Sequence, residues 1–221
     1  MPVVTLDDIR NDPRVETYIR KGDNLLAAMG YTEHSFRHAS LVSRITEQVL
    51  SRLGASAREV ELGAIAGYMH DIGNVVSRHN HPETGALLAE RILSSLDMPV
   101  EEIAGIIGAI GNHEEGSGDV VSNLGAALIL ADKSDVHRSR VRNRDFATFD
   151  IHDRVNYAVE KSFLRVDAAA RTVTLELEID TQISPVLDYF EIFLTRMVMC
   201  RRAAAFLGCT FELTVNRSRL L

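Results

Sequence analysis

Cysteine is nearly absent: Cys200 and Cys209 are the only two in 221 residues. Two thiols cannot build a disulfide framework, and their spacing is not that of a zinc ribbon. A reducing compartment, the cytoplasm, is the expected location. No apolar run approaches the ~18 residues of a membrane-spanning helix, so no membrane association is expected. The N-terminus, MPVVTLDDIRNDPR, is acidic early and lacks an apolar core. It reads as neither a signal peptide nor a transit peptide. Basic residues are outnumbered, 24 Lys and Arg against 31 Asp and Glu, for a net charge of −7. Broad nucleic-acid binding through phosphate neutralisation is not expected of such a chain. Internal repeats and low-complexity linkers are also missing. The length suits one sizeable core with a small appendage.

What is present is mostly helical up to residue 160. VETYIRKGDNLLAAMG and HASLVSRITEQVLSRLG carry apolar stripes and stop at Gly30 and Gly54. SAREVELGAIAGYMH opens on Ser56 with Glu59 three residues on, a capping-box pattern. PETGALLAERILSSL begins at Pro82, which suits a first helical turn. VEEIAGIIGAIGNH is apolar enough to read as a central helix. SNLGAALILADKSDVHRSR runs through Asp132, and IHDRVNYAVEKSF reads as a further short helix.

The pattern changes near Lys161. SFLRVD and TVTLELEID alternate as strands do, with DAAAR as a hairpin loop between them. SPVLDYFEIFLTRMVMCRRAAAFLG then predicts a long helix, with Ser184 as N-cap, Pro185 at its first position and Gly208 as its stop. TFELTVN alternates once more. The expected organisation is a helical domain over 1–160 and a β-β-α-β appendage over 161–221 packed on it, since three strands and one helix are too few to stand alone. The stripe Tyr189, Phe190, Phe193 and Met197 reads as core or as the interface of a homodimer.

The chemistry concentrates in GYMHDIGN, Gly67 to Asn74. Adjacent helical residues diverge by about 100°, so His70 and Asp71 do not share a helix face. Both reach one point if that point lies off the helix end, near its axis, where Gly73 lets the backbone turn away. Asp132 closes the apolar run Ala126 to Ala131 and should face a core. A lone buried carboxylate is costly unless it is paired or bound to a metal. The same holds for His113 at the tip of its apolar helix, and metal binding would satisfy both. Imidazole with carboxylate suits Mn, Fe, Co, Ni or Zn better than calcium.

The ordered set YTEHSFRH, MHDIGN, HNHPETGA, GNHEE and LADKSD resembles the HD-domain metal-dependent phosphohydrolases over about residues 30 to 140. The resemblance implies a mainly α, HD-type helical bundle holding one or two divalent transition metals. It assigns His38, His70, Asp71 and Asp132 to a minimal site and His81 and His113 to a second metal, with Asp71 bridging. HSFRHASLV also permits His34 in place of His38. The stripe Leu41, Val42, Ile45 follows His38 at the usual helical offset and favours His38. His79 reads as loop or substrate edge, and His137 and His152 lie in polar settings. Asn74 follows HDIG where the cyclic-dinucleotide-cleaving branch has lysine, and there is no GYP motif, so that activity is not expected.

The function implied is hydrolysis of a small phosphorylated substrate, such as a nucleotide, by a metal-activated hydroxide held by Asp71. Lys133 or Arg37 would clamp the phosphate, with a solvated basic face as the plainer alternative for each and for Arg138. Two rivals share the ligand order: a dinuclear-iron oxygenase similar to myo-inositol oxygenase, and a non-catalytic binding protein on the same fold.

Overall fold

The computed structural model describes residues 3–220; Met1, Pro2 and Leu221 lie outside the described residues. Nine α-helices run in the order α1 (Leu6–Arg10), α2 (Pro13–Ala28), α3 (Phe36–Arg52), α4 (Ala57–Met69), α5 (His81–Ser95), α6 (Val100–Gly111), α7 (Asn123–Lys133), α8 (Ile151–Ala158) and α9 (Val186–Phe206) among the described residues. Strands β1 (Val159–Asp167) and β2 (Thr172–Ile179) precede α9, and β3 (Thr210–Val215) and β4 (Ser218–Arg219) follow it. The chain is mainly α, with the sheet gathered near its C-terminus.

Local chemistry explains most boundaries. Ser35 caps α3 by accepting from Arg37 N, and Ser56 caps α4 by accepting from Glu59 N. Gly54 (φ 86°) and Gly208 (φ 67°) end α3 and α9 in the left-handed region that glycine enters without strain. The opening segment, to which the sequence reading assigns no helix, forms α1 through a capping box between Thr5 and Asp8.

Four expectations are revised. Helix α8 stops at Ala158, because Val159 enters β1 opposite Ile179; sheet pairing overrides the helical periodicity of VEKSF. The N-cap of α9 is Pro185, while Ser184 Oγ reaches forward to Asp188 at 3.0 Å. A fourth strand exists: Asn216 and Arg217, both at positive φ, turn the chain so that Ser218 and Arg219 pair with Val215 and Thr214. And α7, rather than α6, is the central helix. Every residue of α7 is buried except Asn123 and Asp132, whereas α6 leaves Val100 and Ala104 exposed. A helix that is apolar all round belongs in the middle.

The sheet order is β1-β2-β3-β4. β1 and β2 are antiparallel, β2 and β3 are parallel with α9 as the crossover, and β3 and β4 are antiparallel. Two apolar clusters form the interior. One gathers α1 to α6 and the Leu124, Leu128, Ala131 side of α7. The other joins the opposite side of α7 (Ala126, Ala127, Ile129, Leu130) to Val49 and Leu50 of α3, the sheet and α9. The C-terminal element therefore shares its core with α3 and α7, and α7 separates the two clusters.

Candidate metal centre

Helix ends build the centre. His38 lies in the first turn of α3, His70 caps the C-terminus of α4, His81 opens α5, His113 follows α6, and Asp132 sits in the last turn of α7. Asp71 begins the 3₁₀ turn Ile72–Val75. Side chains at helix ends can meet off the axes of several helices at once, which mid-helix positions cannot.

Gly73 supplies the room expected of it, and that room lets α5 approach. Its φ is not in the left-handed region. A Cβ there would run into the His81 carbonyl oxygen and come within 2.5 Å of Gly85 N, both backbone atoms of α5. Gly73→Ala is expected to cost at least about 1–3 kcal/mol, since rigid backbone must move. It should also push His81 off the centre. Urea denaturation beside metal titration checks both; wild-type values in both would show that α5 adjusts freely.

The six residues named from the sequence come together. His38 Nε2 and His70 Nε2 are 3.2 Å apart, as are His81 Nε2 and His113 Nε2. Asp71 Oδ2 lies 3.5 Å from His38 Nε2 and 3.3 Å from His70 Nε2, while its Oδ1 lies 3.4 Å from His81 Nε2. Asp132 Oδ1 lies 3.3 Å from His38 Nε2 and 3.7 Å from His70 Nε2. Three overlapping groups could each hold a metal ion: His38, His70 and Asp71; His70, His113 and Asp132; Asp71, His81 and His113. Asp71 thus turns one oxygen to each histidine pair.

Tautomers aim the ring Nε2 atoms at one another. The Nδ1 atoms of His70, His81 and His113 contact the carbonyl oxygens of Gly67 (2.9 Å), Arg78 (3.0 Å) and Ile110 (2.6 Å). A carbonyl only accepts, so each Nδ1 carries a proton, and in the neutral ring Nε2 presents a lone pair. His38 Nδ1 does the same toward Asp135 Oδ2 at 2.7 Å. Two such lone pairs 3.2 Å apart repel unless a proton or a metal cation lies between them. Metal–nitrogen bonds of about 2.0–2.1 Å at angles of ~90–110° put donor atoms roughly 2.9–3.4 Å apart, which matches. Asp71 Oδ2 is buried without a hydrogen-bond partner, another acceptor awaiting a cation.

The electrostatics agree at His81, His113 and the two aspartates and differ at His70. Burial opposes charge on His70, but the Asp71 and Asp132 carboxylates outweigh it and raise the imidazole well above its usual value, so without metal its Nε2 carries a proton that a bound cation would displace. Burial would raise the carboxyls of Asp71 and Asp132, yet His70 beside Asp71, and Lys133 with His38 and His70 beside Asp132, hold both low and charged. Burial pushes His81 and His113 down, which keeps them neutral. Neutral imidazole with ionised carboxylate is the form that binds a divalent transition metal.

Around the ligands lie residues that the sequence reading did not single out. Asp135 is buried and orients His38; Arg37 holds it at 2.9 Å. Burial works against its charge, but Arg140, His38 and Arg37 hold its carboxyl well below the usual range. Its only sequence signal is its place three residues after Asp132 in ADKSD. Asp135→Asn is expected to weaken metal binding by ~10–100-fold, the usual cost of losing a carboxylate that orients a ligating histidine. Metal titration followed by calorimetry reads this directly, and an unchanged affinity would leave Asp135 no role at His38.

Glu114 and Glu115, beside His113, take up Lys133 at 3.3 and 2.6 Å, and Lys133 also meets Asp132 Oδ2 at 2.8 Å. Burial would lift the Glu115 carboxyl, but Lys133 and Arg196 bring it down to about 2. Lys133 is itself 2% exposed, so it belongs to no solvated basic face. Arg37 is committed to Glu33 and Asp135. Neither cation named from the sequence as a phosphate clamp has its guanidinium or ammonium free of carboxylates. Arg138 pairs with Glu160 over the Tyr157 ring.

The remaining histidines stay outside the ligand groups. His34 packs edge-on to His38, with ring centroids 5.5 Å apart and its Nδ1 on the Thr32 carbonyl. His79 is exposed, His137 is bound to Ser139 and the Glu160 carbonyl, and His152 is exposed at the rim of the cavity beside the centre.

Comparison with known proteins places this geometry. An uncharacterized protein of Methanocaldococcus jannaschii is 24% identical over 165 residues, covering 64% of this chain and 63% of that protein. The chain thus spans a little under two thirds of that relative's length. A predicted HD superfamily hydrolase of known structure, from an uncultured Thermotogales bacterium, is 24% identical with a TM-score of 0.47 over 60% of this chain and 68% of that one. The family model of the HD domain matches residues 31–155, more than half of the chain and all six clustered residues. The chain belongs to the HD-domain family.

Proposed function

We propose that the protein hydrolyses a phosphate ester, such as a nucleotide, with two divalent transition metals (Mn, Fe, Co, Ni or Zn) held on either side of Asp71. The observation that carries this reading is the split of the Asp71 carboxylate, Oδ2 toward His38 and His70 and Oδ1 toward His81. One cation would rest on His38, His70, Asp71 and Asp132, the other on Asp71, His81 and His113. Bound there, such cations acidify water near neutral pH and offset charge on phosphoryl oxygens.

The chain's own residues do the rest. Asp71, charged and shared by both groups, orients the attacking water. Asp135 and the carbonyls of Gly67, Arg78 and Ile110 keep each imidazole turned inward. Lys133 balances Asp132 on the side away from the histidines, since it meets Oδ2 while Oδ1 faces them.

The test is metal analysis of the purified protein with a phosphate-release screen over nucleotides and sugar phosphates, run beside oxygen uptake with iron. Metal near two equivalents and phosphate release are expected. Oxygen consumption without phosphate release under any metal would replace the hydrolase with the oxygenase. Neither activity, with metal bound, would make the protein a binding module.

A further inference from the structure

Two arginines from different parts of the fold reach one cavity in matched settings. The cavity, about 420 Å³, opens beside the centre, with Tyr31, His34, Arg78, Phe193 and Arg196 in its walls. His34 abuts His38, and Arg78 Nη1 lies 3.2 Å from His81 Nε2, so the cavity adjoins both histidine pairs.

Arg78 lies over the Tyr31 ring, 5.8 Å from its centroid, and donates to Glu114 at 3.2 Å. Arg196, brought in by α9, lies over Phe193 at 4.4 Å and donates through Nε to Glu115 at 2.9 Å. Glu114 and Glu115 are adjacent, and both hold Lys133. Each guanidinium is therefore backed by an aromatic face and fixed along one edge by a carboxylate. A guanidinium carries five N–H donors in one rigid plane. Glu115 engages only Nε of Arg196, which leaves the terminal nitrogens without a hydrogen-bond partner among the described residues.

The other cations nearby have no such capacity. Lys133 has three N–H donors and three carboxylates. Arg140 is spent on the carbonyls of Asp135 and Glu33. Arg37 is spent on Glu33 and Asp135.

We propose that Arg78 and Arg196 are the two arms of a clamp for the phosphoryl oxygens of the substrate, so that the C-terminal helix α9 completes the active site. The proposal rests on the phosphohydrolase reading. Planar, pre-fixed donors suit the oxygens of a phosphate monoester better than a mobile ammonium does. Tyr31, 40% exposed, gives the same cavity apolar surface for the organic part of the ester.

The test uses the full chain loaded with manganese. Inorganic phosphate is titrated by calorimetry, and KM is measured on p-nitrophenyl phosphate. Arg196→Gln is expected to weaken phosphate binding, and to raise KM, at least about tenfold, the lower end of what one charge-assisted hydrogen bond contributes. Metal content should stay unchanged. Arg196→Lys, which keeps the charge and loses the fork, should fall between. Arg202→Gln, on the same helix but paired with Asp119, should match wild type. Arg78→Gln carries the same tenfold expectation should Arg196→Gln fail to fold. Phosphate affinity within twofold of wild type in both glutamine variants overturns the clamp, as does a manganese-loaded wild type that binds no phosphate. Weakened binding of free phosphate with an unchanged KM overturns it as well, because the ester would then bind elsewhere. Arginine-dependent phosphate binding by a wild type that cleaves no ester upholds the clamp and removes only the hydrolase reading.

Discussion

Asp71→Asn is expected to abolish hydrolysis while leaving the fold intact. An amide matches the carboxylate in shape but carries no charge, and it cannot bridge two cations with two anionic oxygens. The loss should exceed the ~10²–10³-fold typical of removing one charge-stabilising group, because both cation sites lose a ligand. The metal-free protein should not suffer. Asn74 Nδ2 donates to Asp71 Oδ1 at 2.9 Å, so the amide oxygen of an asparagine would keep that side. Its NH₂ would then face Nε2 of His38 and of His70, and His70 would lose one of the two carboxylates that hold it protonated. What disappears is stabilisation by metal, about 2.7 kcal/mol at a metal concentration 100 times Kd. At ~2–4 °C per kcal/mol for a chain of this size, that is roughly 5–11 °C in Tm. Phosphate release at saturating manganese, beside melting with and without chelator, decides the matter. Full activity would remove Asp71 from the mechanism, and a collapse of the chelated variant would make the His70–Asp71 pair structural.

Lys133→Met should give the largest stability loss of any single change at the centre. Methionine fits the volume of the stem but leaves Asp132, Glu114 and Glu115 without their shared cation. Breaking a buried ion pair by deleting one partner typically costs about 3–5 kcal/mol, roughly 6–20 °C here. The loss should depend on pH in a definite direction. Glu115 is held down at about 2 by Lys133 and Arg196 against the effect of burial. A carboxyl whose folded pKa is depressed adds stability that is fully present above its unfolded value, about 4.3, and is lost as pH falls through the folded value. The gap between wild type and Lys133→Met should therefore be widest near pH 7 and narrow from about pH 4.3 toward 2. Urea denaturation at pH 7 and pH 3 measures it. An equal gap at both would show that Lys133 acts through packing of its stem, not its charge.

The clustered His and Asp residues were legible through the resemblance their ordered motifs carry. The adjacent His70 and Asp71, Asp132 at the end of an apolar run and His113 at a helix tip are marked by their own surroundings, whereas His38 and His81 were named through the family pattern. Glu114, Glu115 and Asp135 were only half legible: each stands beside a marked residue, but an acid in GNHEE or ADKSD reads equally as surface charge. Arg196 carried no local signal at all. It reaches Glu115 because α9 packs on α7, and that contact depends on the sheet that anchors α9.

The same division runs through the fold. Periodicity and caps by themselves determined that residues up to about 160 are mostly helical and that strands and one long helix follow, and the ordered motifs threaded a His/Asp series along the helical part. These are properties of short windows, where side-chain faces follow from 3.6- and 2-residue periods. Only the tertiary structure decided that α7 and not α6 is central, that Val159 leaves α8 for β1, and that a fourth strand closes the sheet. It alone decided which oxygen of Asp71 faces which histidine pair, and that Lys133 spends its charge on three carboxylates while Arg78 and Arg196 keep donors for the cavity. Those outcomes depend on distances between segments far apart in the chain, and such distances come from packing two apolar clusters against opposite sides of one helix, which no single window encodes.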